Sequence, residues 1–116
     1  MNFDDCIKAH SNWKLKLAAY IAKPDGSLKS SVVGNDHGCD LGKWIDGEGT
    51  RFAQVPEFTR MKEAHVRFHS AAGDIIRKAD GGQKVTEEIA LGGHSPYASA
   101  STEVISAILA MKAHAK

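Results

Sequence analysis

The sequence predicts an all-α protein: an antiparallel four-helix bundle with a short extra helix that carries Cys39. Two observations carry that fold class. Apolar residues in the long stretches recur at alternating steps of three and four, the spacing of a single stripe along a helix. The stretches are separated by turns rich in Gly, Pro and Asp, and nowhere does an every-second-residue strand pattern or an internal repeat emerge. At 116 residues the chain has the size of one domain, taken as residues 1–116, and it can bury a core without disulfides.

Residues 2 to 23 read as the first helix. Phe3, Cys6, His10, Trp13, Leu17 and Tyr20 share a stripe, and Lys8, Lys14, Lys16 and Lys23 fall largely off it. His10 is therefore predicted to face the core, and Pro24-Asp25-Gly26 ends the helix. Residues 24 to 38 read as a connecting loop with a helical turn around Leu28 to Val33, longer than most connections, a length that points to function. A short helix from about Asp40 to Asp46 buries Leu41, Trp44 and Ile45, and Gly47-Glu48-Gly49 stops it.

Pro56 suits the first turn of a second long helix running to about Ala79, because its missing N–H is unneeded there. Phe58, Met61, His65, Phe68, Ala72, Ile75 and Ala79 form its inward stripe, with His69 one turn beyond His65. Residues 83 to 91 read as a short helix through Val85, Ile89 and Leu91, broken at Gly92-Gly93. Ser95 then caps, and Pro96 opens, a last helix whose inward residues are Tyr97, Val104, Ile108 and Met111.

Fifteen Lys and Arg against fourteen Asp and Glu leave a net charge of +1, with no basic stripe to neutralise phosphates, so nucleic acid is not an expected partner. No apolar run approaches the roughly 18 residues that span a bilayer. The first residues, Met1-Asn2-Phe3-Asp4-Asp5, are acidic where a signal peptide is basic. A cytoplasmic protein without membrane insertion is expected.

Chemistry concentrates in the six histidines and two cysteines. His65 and His69, four apart on one helix, have β-carbons about 5 to 6 Å apart, which suits two ligands of one ion. Taken singly, each residue has a plainer reading: His10 as a hydrogen-bonded core histidine, Cys39 as a small buried hydrophobe, the histidine pair as one core and one surface residue. Read together, His10, Cys39, His65 and His69 offer three imidazoles and a thiolate, a donor set suited to tetrahedral zinc. Cys6, one turn before His10, reads as a buried hydrophobe before a resolving thiol or substitute ligand. His37, His94 and His114 are expected at the surface.

The ordered segments His10-Ser11-Asn12-Trp13, Cys39-Asp40-Leu41-Gly42-Lys43-Trp44 and His65-Val66-Arg67-Phe68-His69 resemble the pattern HxxW, CxLGxW, HxxxH of the chemoreceptor zinc-binding domain family. Every motif position is met, and the resemblance covers residues 10 to 69. It implies that His10, Cys39, His65 and His69 ligate Zn2+ and that Trp13, Leu41, Gly42 and Trp44 are packing positions. It implies a sensory domain, responsive to zinc and to oxidants such as hypochlorous acid, serving chemoreceptors or diguanylate cyclases and forming a homodimer. From the residues themselves, the tryptophans would wall the site, Gly42 would let the short helix approach a neighbour, and Asp40 and Glu63 are candidates to accept hydrogen bonds from the free imidazole nitrogens.

Four protein ligands leave no open position for an activated water, so no enzymatic activity is expected. Two other classes compete. A hemerythrin-like di-iron oxygen carrier needs more inward histidines and bridging carboxylates, and has no use for a lone cysteine; a metal-free helical interaction module needs none of these residues. A haem protein is weaker still, since no CxxCH motif is present.

Overall fold

The computed structural model describes residues 3–23, 26–35, 37, 39–81, 92 and 95–114, and among these every regular element is helical. Helix α1 (Phe3–Ala22) carries Asp4 and Asp5 in its first turn, where carboxylates complement the helix dipole. It stops shortly before Pro24, whose ring disfavours helical backbone in the residue preceding it. Helix α2 (Ser30–Val33) is a single turn, and α3 (Asp40–Asp46) follows with Cys39 as its extended N-cap residue. A 3-10 turn, Glu48–Phe52, leads into α4 (Pro56–Asp80), which has Pro56 in its first turn and Arg77 and Lys78 in its last. Helix α5 (Pro96–His114) starts where the Ser95 hydroxyl accepts the Ala98 N–H at 3.0 Å, the capping read from Ser95-Pro96.

Side-chain contacts fix the helix directions. Tyr20 Oη donates to Asp80 Oδ1 at 2.5 Å, so the far ends of α1 and α4 meet, and His10 lies beside His65 at mid-length. These two helices run parallel. Helix α5 runs against both: Lys112 reaches Asp4 at 2.6 Å, His114 reaches Glu57 at 3.2 Å, and Arg67 pairs with Glu103.

Because α1 and α4 are parallel, the chain joining them has to travel back along their length. That return leg consists of α2, α3 and the 3-10 turn, and its landmarks descend α4 in order: Gly34 at Gly73, Val33 at His69, Cys39 at His65, and Trp44 at Phe58. The long connection is therefore a structural layer whose middle lies over the inward histidines of α4.

The core follows most of the predicted stripes. Leu17, Leu41, Met61, Phe68, Val104, Ile108 and Met111 are fully buried, as is Ile76, which the predicted stripe of α4 did not include, and each such side chain contributes about 1.5–3 kcal/mol on burial. Trp44 departs from expectation in being only half-buried. Its ring stacks on Phe52 at 5.8 Å and meets Phe3 edge-on at 5.2 Å, so it closes one end of the core rather than filling it. The 3-10 turn was not legible in the sequence, and it places Gly49 under that ring. A β-carbon at residue 49 would stand 2.7 Å from Trp44 Cε3, so only glycine fits without displacement. The helix expected over residues 83 to 91, and His94, lie outside the described residues.

Candidate metal centre

Three helices each deliver part of one cluster. Helix α1 supplies His10, the N-cap of α3 supplies Cys39, and α4 supplies His65 and His69 one turn apart. One donor atom from each of the four lies within 4.8 Å of all the others. Cys39 Sγ is 3.1 Å from His65 Nε2 and 3.6 Å from His69 Nε2. The imidazoles stand nearly perpendicular, His65 against His69 with centroids at 4.5 Å and 86°. His10, His65 and His69 are all buried, and Cys39 is half-buried.

Backbone carbonyls settle which nitrogen carries the proton on two of the rings. His10 Nδ1–H donates to the Cys6 carbonyl at 2.7 Å, and His69 Nδ1–H donates to the Val33 carbonyl at 2.8 Å. A carbonyl only accepts, so in both rings Nδ1 holds the proton and Nε2 presents its lone pair. His10 Nε2 is buried with no hydrogen-bond partner, and so is His65 Nδ1. Leaving such a nitrogen unsatisfied costs about 1–3 kcal/mol. A cation among these donors would satisfy His10 Nε2, and the oriented lone pairs and the thiol sulfur suit zinc, with no carboxylate joining the cluster among the described residues.

The electrostatics favour neutral ligands. Burial lowers the His65 pKa from 6.5 to about 3, with His69, His10 and His37 adding to the effect. Burial also lowers that of His10, against the pull of its hydrogen bond to Cys6. Burial raises the Cys39 thiol, although the backbone N–H groups of Gly42 and Leu41 at the start of α3 favour the thiolate. His65 and His10 are thus neutral and ready to ligate near neutrality, and the Cys39 thiol has one proton to give up.

Some expectations are corrected here. Asp40 and Glu63 are both exposed, and the acceptors that hold the imidazoles are the Cys6 and Val33 carbonyls. The ring against the imidazoles is Phe68, 5.0 Å from His10 and 5.4 Å from His69, while Trp44 packs with Phe3, Phe52 and Phe58. Trp13 is half-buried with Lys16 Nζ 4.7 Å over its ring. Leu41 and Gly42 are buried at the start of α3.

Cys6 is buried and its thiol is pushed up to about 11, chiefly by that burial, in keeping with a core residue. His37 and His114 are exposed as expected, pairing with Asp46 and Glu57. The two carbonyl acceptors were missed because a backbone oxygen leaves no mark in the residue type. Only Cys6, four residues before His10 on one helix, was within reach of a sequence argument.

No curated protein and no solved structure matches the chain. A sequence model described as the chemoreceptor zinc-binding domain matches residues 10–76, more than half of the chain and the whole span from His10 through the histidine pair. By this match the chain belongs to the chemoreceptor zinc-binding domain family.

Proposed function

We propose that His10, Cys39, His65 and His69 together bind one zinc ion, and that the chain, a single domain over residues 1–116, is a regulatory module rather than an enzyme. The observation that carries this is the convergence of four donor atoms within 4.8 Å of one another, with His10 Nε2 buried and otherwise unpartnered. Bound zinc would hold Cys39 as thiolate and close the coordination sphere, leaving no site for an activated water. The helices α1, α4 and α5 with the α2–α3 leg support a four-helix-bundle reading in which that leg is the second, interrupted helix. A di-iron centre is disfavoured because, among the described residues, no carboxylate joins the cluster to bridge two irons.

Sensing follows from the same residues. Cys39 is half-buried, so an oxidant such as hypochlorous acid can reach it, and oxidation to the sulfenate weakens its hold on the metal. Cys39 is the N-cap of the seven-residue helix α3, so losing its bond to the metal loosens the start of that helix. Family membership supports an output in chemoreceptor or diguanylate cyclase signalling, as a cytoplasmic homodimer. Among the described residues no helix is long and apolar enough to cross a membrane. The test is amide hydrogen exchange across residues 34 to 50 with zinc, without zinc and after hypochlorite. Faster exchange on zinc loss or oxidation is expected, and an unchanged profile would sink the switch.

A further inference from the structure

We propose that α2 is a positioning arm of the metal centre: seated by the glycine pair Gly34 and Gly73, it holds His69 in its ligating orientation through the Val33 carbonyl. This rests on the zinc reading above and adds residues that lie outside the ligand set.

The two anchored imidazoles are held in different ways. His10 donates to a carbonyl four residues back in its own helix, so the acceptor forms whenever α1 forms. His69 donates to Val33, 36 residues away in sequence on a different element. That element is a helix of four residues, far too short to persist without tertiary packing. Whatever seats α2 on α4 therefore also aims His69.

The seat is a backbone-to-backbone contact. A β-carbon at Gly73 would lie 3.0 Å from Gly34 Cα, 3.1 Å from the Ser30 carbonyl oxygen and 3.3 Å from Gly34 N. None of these atoms can rotate aside, so a side chain at residue 73 has to push α2 away from α4. Beyond that contact α2 inserts the buried Val33, while the neighbouring Val32 is 68% exposed. With so little else inserted, a displacement of α2 by a few tenths of an ångström stretches the 2.8 Å bond between His69 and the Val33 oxygen and loosens its hold on the ring. Hydrogen-bond acceptors behind metal-bound imidazoles fix ring orientation and raise basicity. Coupling is reciprocal, so zinc bound by His69 must in turn steady α2.

The test is Gly73→Ala, with the exposed Ser70→Ala on the same helix as control. Zinc dissociation constants come from competition with a chelating dye, and the imidazole Nδ1–H protons of the metal-free proteins are followed by NMR. The expected result is zinc binding weakened about tenfold or more in Gly73→Ala and unchanged in Ser70→Ala. The His69 Nδ1–H signal should shift and exchange faster while that of His10 is unchanged, a pattern that general destabilisation cannot produce. Wild-type affinity in Gly73→Ala, or the same change in both signals, would overturn the proposal.

If Gly73→Ala does not fold, hydrogen exchange at the Val33 and Gly34 amides of the wild type decides. Slowing on zinc addition supports the arm, and no change overturns it. A wild type that binds no zinc would instead overturn the zinc reading, while the His69 signal of the metal-free protein would still test the seat.

Discussion

Trp44→Ala tests whether docking of α3 sets the metal centre. The indole stacks on Phe52, meets Phe3 edge-on and lies 6.2 Å from Phe58, so it ties α3 to the 3-10 turn, α1 and α4 at once. Truncating a fully buried Trp costs about 3–5 kcal/mol; for a half-buried ring with these aromatic partners, about 2–4 kcal/mol is expected. Leu41 and Ile45 remain as buried anchors of α3. If the loss leaves α3 undocked in roughly nine chains of ten, apparent zinc affinity falls about tenfold, because only the docked fraction presents Cys39. Urea unfolding and zinc competition on the same samples measure both effects, with Trp44→Phe as the variant that restores most ring contacts. Unchanged stability would refute the packing argument. Reduced stability with wild-type zinc affinity would refute the coupling of α3 docking to the metal.

Three further outcomes follow from the site. In metal-free protein, burial holds the His65 pKa near 3 while the unfolded chain titrates near 6.5, so between those values the unfolded state binds the proton and acid favours it. From pH 7 to pH 5 that single group should cost about 2 kcal/mol of stability, with His10 adding in the same direction, and a urea midpoint that does not fall would contradict it. Zinc binding near pH 7.5 should release about one proton, from the Cys39 thiol that burial keeps protonated, so calorimetry in buffers of different ionisation enthalpy should not return zero. Gly49→Ala should cost about 1–3 kcal/mol, since its β-carbon meets the Trp44 ring and carbonyl oxygen at 2.7 Å, and wild-type thermal stability would show that the turn yields freely.

What the sequence revealed and what it hid have physical causes. The stripes of α1 and α4 were legible because each long helix buries one face, and the spacing of Cys6, His10, Leu17 and Tyr20 records which face. The bounds of α3 followed from Cys39 and Gly47 on either side of a short apolar set. The four clustered residues were legible because a donor set needs particular residue types. The parallel run of α1 and α4 was hidden, since periodicity fixes a face and not a direction. So were the two carbonyl acceptors, and so was the role of Phe68, which in sequence is only another inward aromatic. Gly73 gave no signal because a glycine inside a helical pattern records nothing about what approaches it.

The most direct measurement is the metal content of the untagged protein by elemental analysis, beside Cys39→Ala and a hypochlorite-treated sample. About one zinc per chain is expected, falling in the variant and on oxidation. No zinc, or about two irons per chain, would contradict the assignment of His10, Cys39, His65 and His69 to a single zinc ion.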